Sequence, residues 1–232
     1  MEEVAVVFSI GPLAITSVVV TTWGIMLVLG GLAWLATRRL TLDPGPWQTM
    51  LEGVVSAMED AIATVLPQHA QRVLPFVATL WIYIIVANLV GLIPGLDSPT
   101  AHLAVTAGLA LLVFMSVHWY GVRIDGVRTY LRHYLSPSPV LLPFHLLSEV
   151  TRTVALAVRL FGNIMSLEMV ALLVLLVAGL LVPVPLLMLH IVEALVQAYI
   201  FGMLALIYLA GAMQSRPSGQ SNQSNEEEAD SE

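Results

Sequence analysis

The 232-residue chain has no cysteine and no lysine. Without cysteine there is no disulfide, no thiolate-held iron–sulfur cluster and no Cys-based zinc site. Its nine basic residues are all arginine, at positions 38, 39, 72, 123, 128, 132, 152, 159 and 216. That is too few, and too scattered, for a basic face that would bind nucleic acid. Charge of either sign is scarce: 11% of residues are charged and 58% are hydrophobic, against about 25% and about 45–50% in soluble domains. Five of the 16 acids fall within residues 226–232, so the net charge of −7 becomes −2 once residues 217–232 are set aside. The acidic balance therefore describes the tail and not the body.

What is present is apolar sequence in long runs. Residues 4–37, 73–96, 98–122, 169–192 and 194–215 contain no Asp, Glu, Lys or Arg. Each can hold the roughly 20 helical residues that cross about 30 Å of hydrocarbon. A soluble globular domain is excluded, and so is a peripheral protein with a single anchor. The start, Met-Glu-Glu, lacks the positive region of a signal peptide, so the first apolar segment is expected to be retained.

The order of segments predicts an all-α integral membrane protein. It has five membrane-embedded helices and one amphipathic surface helix. The first span runs from Leu13 to Thr37, and Arg38-Arg39 after it place that end in the cytoplasm and the N-terminus outside. After the break at Asp43-Pro44-Gly45-Pro46, Leu51, Val54, Val55, Met58 and Ile62 recur at helical spacing between Trp47 and Leu66. Glu52, Glu59 and Asp60 are mixed among them, and the segment reads as an amphipathic helix lying on the membrane surface. Val73–Ile93 then crosses outward, and Leu103–Tyr120 returns to Arg123, Arg128 and Arg132. The segment from Leu141 to Leu181 has one proline, Pro143, near its start. As one helix it would be about 60 Å long, so it must tilt far beyond the usual angle near 20°. Val182-Pro183-Val184-Pro185 reads as a turn and Leu186–Met213 as the returning helix. The last two helices thus form a long, steeply tilted hairpin whose end, with Arg216, is cytoplasmic. Residues 1–216 read as one membrane body. Residues 217–232, rich in Ser, Gln, Asn and Glu, read as a disordered tail.

Ionisable side chains inside hydrocarbon are costly and point to function by default. The hairpin holds Glu149, Arg152, Arg159, Asn163, Glu168, His190, Glu193 and Gln197. Arg159 is the sharpest of them. It lies too deep to reach the interface, and guanidinium cannot discharge by losing its proton. At 100° per residue, Arg152 and Asn163 fall within about 40° of Arg159, while Glu168 falls about 180° away. Arg159 therefore looks for a carboxylate on another chain. His190, Glu193 and Gln197 share one face of the second helix, and Tyr208 extends it; such a file suits a wetted proton path. A metal site is a weak alternative, because one His and one Glu three residues apart supply only two ligands. Of the other histidines, His69, His118 and His133 read as interfacial, and Trp23, Trp34, Trp81 and Trp119 read as packing or anchoring residues.

Arg159-Leu-Phe-Gly-Asn163, followed by Glu168, resembles the signature of the F-type ATP synthase membrane subunit a family. Pro75-Phe-Val-Ala-Thr-Leu80 with Asn88-Leu-Val-Gly-Leu-Ile-Pro94 is similar to that family's second span. Gln197-Ala-Tyr-Ile-Phe201 and Leu206-Ile-Tyr-Leu209 are similar to its last helix. The resemblance covers about 70–215. It implies a non-catalytic, ion-translocating subunit without a cofactor, set beside a ring of c subunits and the peripheral-stalk b subunits in a bacterial plasma membrane. Two offset half-channels would lead to the ring's carboxylates. Arg159 would separate them, with Glu168, His190 and Asn163 in or near the outer one, Gln197 near Arg159, and Glu193 an extra acid beside His190. His145, Ser148 and Glu149 would line the cytoplasmic one. His102, His145, Thr153 and Glu193 depart from the family's usual residues. The extra carboxylate at Glu193 leaves Na⁺ open as the ion, with H⁺ the default. A stand-alone secondary transporter is the rival from another class; it would move its substrate when purified alone. A membrane scaffold without an ion path is the third reading, and it would tolerate neutral replacement of Arg159 and Glu168 together.

Overall fold

The structure, a computed structural model, describes residues 6–10, 13–38, 41, 45–93, 96, 98–126, 142–178 and 183–213. Arg128, Arg132, His133, Arg216 and the acidic tail lie outside the described residues, as does the loop between the hairpin helices, residues 179–182.

Six α-helices make up the described body: α1 (Ser17–Thr37), α2 (Pro46–Ala63), α3 (Ala70–Val90), α4 (Leu103–Asp125), α5 (Leu142–Ala178) and α6 (Pro183–Met213). Five of them, all but α2, are long and apolar enough to cross a membrane. The fold is that of an all-α membrane protein. The first span starts later than its composition suggests. Leu13–Thr16 is extended and pairs antiparallel with Val6–Ile10, and α1 begins at Ser17 with Thr16 as its N-cap. An apolar run does not by itself distinguish a strand from a helix, and Gly11-Pro12 between the strands is a turn signal.

The amphipathic segment is helical from Pro46, which occupies the first turn where a missing N–H costs nothing. Trp47, Met50, Leu51, Val54 and Val55 are all exposed, while Ile62 near the other end is fully buried against the core. This helix is therefore tethered at its C-terminal end and offers an apolar face outward, as a surface helix requires.

Helix α5 runs unbroken for 37 residues, about 55 Å at 1.5 Å per residue. That is nearly twice the hydrocarbon thickness, so the expected long helix is present. Its partner α6 starts earlier than expected: Pro183 and Pro185 sit in its first turn instead of in the loop. The first four N–H groups of a helix have no internal partner, so proline is tolerated there.

The core forms where α3, α4, α5 and α6 meet. Val77, Leu80, Trp81 and Ile84 of α3 pack with Val113 of α4, Leu160 and Ile164 of α5, and Phe201, Leu206 and Leu209 of α6. Small residues on α6, Ala194, Ala198, Gly202 and Ala205, let the helices approach closely. The Trp81 indole lies directly across Gly202, where no side chain could fit, and stacks on Tyr199 with centroids 6.0 Å apart.

Candidate functional site

Two contacts fix how the hairpin helices face each other. Asn163 of α5 donates from Nδ2 to Oε1 of Gln197 on α6 at 2.7 Å. Further along, the Arg152 guanidinium stands 5.2 Å from the Tyr208 ring centroid. Both fit one antiparallel register, since Asn163 lies as far beyond Arg152 on α5 as Gln197 lies before Tyr208 on α6. In that register Glu168 is level with Val192, between His190 and Glu193.

Arg159 lies between these two contacts along α5, on nearly the same face as Arg152, but takes part in neither. Leu156, Ala157, Leu160 and Ile164 give α5 its buried face, and Arg159 is exposed on the outside of the bundle. Among the described residues it has no hydrogen bond or ion pair. Arg152, which the helical wheel places on nearly the same face, is held by Tyr208; Arg159 is not held. The sequence expectation that Glu168 is not its partner agrees with the geometry. Glu168 is half-buried on the other side of α5, with Oε1 3.0 Å from where a Cβ on Gly91 would stand and close to Ser98.

The file on α6 is present, but its members have separate partners. His190 is buried, and its Nε2 lies 3.2 Å from the Asn88 backbone carbonyl. A carbonyl only accepts, so Nε2 carries a proton and Nδ1 is the nitrogen left for exchange. Gln197 is buried as well; its Oε1 serves Asn163, and its Nε2 has no hydrogen-bond partner among the described residues. Glu193 is half-buried. Tyr208 belongs to the arginine contact instead of to a proton file.

Asn88, Ser98 and Thr100 form a buried polar knot that residue spacing did not flag. Thr100 donates its hydroxyl to Asn88 Oδ1 at 2.6 Å, and Ser98 Oγ lies 2.7 Å from Thr100 Oγ1 while bonding the Ala87 carbonyl. Asn88 Nδ2 donates to the Ala194 carbonyl of α6 at 3.3 Å. The knot ties the end of α3 and the Pro99–Ala101 turn to α6, beside both His190 and Glu168. The motif holding Asn88 was visible in the sequence, whereas its partners a dozen or a hundred residues away were not.

At the opposite end, Glu149 is half-buried and its Oε2 lies 3.4 Å from Nε2 of His118 on α4. His145 and Ser148 are exposed. His118, read from the sequence as interfacial, makes this contact between two helices, which leaves no trace in residue spacing. Among the described residues no three His, Cys, Asp or Glu side chains are placed to hold a metal ion.

Residues 19–210 match the family model of the ATP synthase A chain. The chain belongs to the ATP synthase A chain family. It is similar to ATP synthase subunit a 2 of Pelobacter propionicus, 67% identical over 215 residues that cover 93% of this chain and 94% of that one. It is 68% identical to ATP synthase subunit a 1 of Hahella chejuensis over 205 residues, covering 88% and 87%. It is 61% identical to ATP synthase subunit a of Legionella pneumophila over 209 residues, covering 90% and 91%. As a member of this family the chain is a multi-pass membrane subunit of an F-type ATP synthase, an ion-channel subunit and not itself catalytic, and it works within the complex with the other subunits.

Proposed function

We propose that this subunit supplies two offset half-channels and one fixed cation, Arg159, that faces the carboxylates of a c-subunit ring. The observation that carries the reading is the exposure of Arg159 midway along the hairpin, while Arg152 is held by the Tyr208 ring and Asn163 and Gln197 are hydrogen-bonded to each other. A guanidinium cannot discharge in hydrocarbon, so an outward-facing one calls for a carboxylate from a neighbour.

The mechanism follows from charge. A protonated ring carboxyl can turn through lipid, whereas the ionised form is costly there. Opposite Arg159 the ionised form is favoured, and the proton leaves. The fixed cation also bars a proton from passing straight between the half-channels, so net flow turns the ring. On the outer side Glu168, His190 and Glu193 lie level with one another, and His190 exchanges protons through Nδ1. Asn163 and Gln197 hold the hairpin's register beside Arg159. On the cytoplasmic side His145, Ser148 and Glu149 line the entrance.

The positions of the arginines support an N-terminus outside and a C-terminus in the cytoplasm of a bacterial plasma membrane. The b subunits of the peripheral stalk and membrane lipid are the other partners. A second reading, Na⁺ as the ion, is favoured by one feature: Glu193 adds a carboxylate level with Glu168.

The absence of cysteine makes a direct test clean. Ala155 and Ser166 are exposed and lie within about 40° of Arg159, whereas Ile164 is buried. Ala155→Cys and Ser166→Cys should each cross-link to a cysteine placed beside the ring carboxylate, and Ile164→Cys should not. Cross-linking from Ile164→Cys alone would contradict the placement.

A further inference from the structure

We propose that His118 and Glu149 form a proton-exchanging pair in the cytoplasmic half-channel, with His118 the residue that delivers protons to and from water. This rests on the half-channel reading above and adds a residue from α4 to it.

Three observations carry the proposal. First, the imidazole is held at both nitrogens in different ways. Nδ1 lies 2.9 Å from the Phe114 backbone carbonyl, an acceptor only, so Nδ1 carries a proton and donates it there. Nε2 is thereby left to gain or lose a proton, and it is the atom that faces Glu149 Oε2 at 3.4 Å. The ring also rests on Phe114, with centroids 4.3 Å apart, so its orientation is set by its own helix and not by Glu149. An imidazole oriented through one nitrogen, with the other turned to a carboxylate, is the usual arrangement for moving a proton.

Second, both side chains are partly open, 31% exposed for His118 and 21% for Glu149. Glu149 Oε2 itself is buried, so the exposed part of the pair lies on the His118 side. The separation exceeds the roughly 2.6–3.2 Å over which a proton passes directly, and a small turn of the Glu149 side chain or one bridging water closes it.

Third, the pair lies where an entrance is needed. Arg123 follows His118 on α4 and marks the cytoplasmic end, and Tyr120 Oη donates to the Arg72 carbonyl at the cytoplasmic start of α3. Two cations there have ring partners: Arg123 lies 4.9 Å from the Trp119 ring and Arg152 sits against Tyr208. Glu149 precedes Arg159 by ten residues of α5, about 15 Å along the helix. The pair is thus about half a hydrocarbon thickness from the cation that ends the path.

The transfer balances simply. A proton on the Glu149 carboxyl passes from Oε2 to Nε2, leaving a carboxylate and an imidazolium. The imidazolium gives the Nε2 proton to cytoplasmic water, while Nδ1 keeps its proton on the Phe114 carbonyl. Pumping runs the same steps in reverse.

The test uses the assembled ATP synthase in inverted membrane vesicles. His118→Gln keeps a polar side chain of similar reach but cannot carry a proton; it should lower ATP-driven proton pumping roughly tenfold or more, with normal complex content. Glu149→Gln should give a comparable loss, and the double variant should be no worse than either single one. His118→Ala should be impaired and should regain pumping when imidazole is added on the cytoplasmic face. Parent-level pumping by His118→Gln or Glu149→Gln would overturn the proposal. So would a His118→Ala defect that imidazole leaves unchanged, because a purely structural tie between α4 and α5 would behave that way. Arg159→Ala separates the two readings. If it pumps normally, the coupled half-channel scheme itself fails; if it is inactive while His118→Gln is normal, only the His118 role fails.

Discussion

Asn163 and Gln197 join the two hairpin helices through one 2.7 Å hydrogen bond, and Arg159 stands four residues from Asn163 on the outer face of the same helix. Interhelical hydrogen bonds in membranes contribute about 0.6 kcal/mol on average and at most about 1.7 kcal/mol. One such bond cannot hold the hairpin together against slippage unaided. With the Arg152–Tyr208 contact it selects one register from several that apolar packing would accept, and that register sets the height of Arg159.

Gln197→Leu should therefore lower the thermal midpoint of the purified complex only slightly, by about 1 kcal/mol in stability, yet cut coupled transport more than that loss accounts for. Asn163→Leu should behave alike, and the double variant should lose less stability than the two single losses combined, because no buried donor is left unpaired. Melting curves of the three variants beside pumping rates check this.

Gly202 has no room for a side chain, because the Trp81 indole covers it. Gly202→Ala should push α3 from α6, with an overpacking cost of about 1–3 kcal/mol, and should reduce the amount of assembled complex. Trp81→Phe, with a smaller ring, should recover part of the loss. Quantifying the subunit in membranes of the single and double variants measures both effects.

Gly91 leaves space for the Glu168 carboxylate and for Ser98. A methyl group at Gly91 would stand 3.0 Å from Glu168 Oε1 and 2.9 Å from the Ser98 Cβ. Gly91→Ala should displace the carboxylate and slow ion transport severalfold while the complex still assembles. Glu168→Gln should slow it further, and the two changes together should match Glu168→Gln alone. A Gly91→Ala variant with the parent transport rate would show that the carboxylate tolerates the shift.

The helical body was legible because hydrocarbon permits few backbone solutions, so a charge-free run of sufficient length reads as a spanning helix. The same logic made the length of α5 readable. The N-terminal strand Leu13–Thr16 was not, since an apolar run fits either state. The start of α6 at Pro183 was missed because proline signals both a turn and a first helical position. Arg159 was legible as a cation too deep to escape, and its separation from Glu168 followed from helical geometry. The His118–Glu149 contact and the knot of Asn88, Ser98 and Thr100 were not legible. Both depend on how helices distant in sequence are set side by side, which periodicity within one helix does not encode.

The central claim is that Arg159, exposed on α5, couples ion flow to the ring. The most direct measurement is ATP-driven proton pumping by the assembled complex carrying Arg159→Ala, with ATP hydrolysis by its detached soluble head measured in parallel. The account predicts that pumping is abolished while the detached head hydrolyses ATP at the parent rate. Pumping at the parent rate by Arg159→Ala would contradict it.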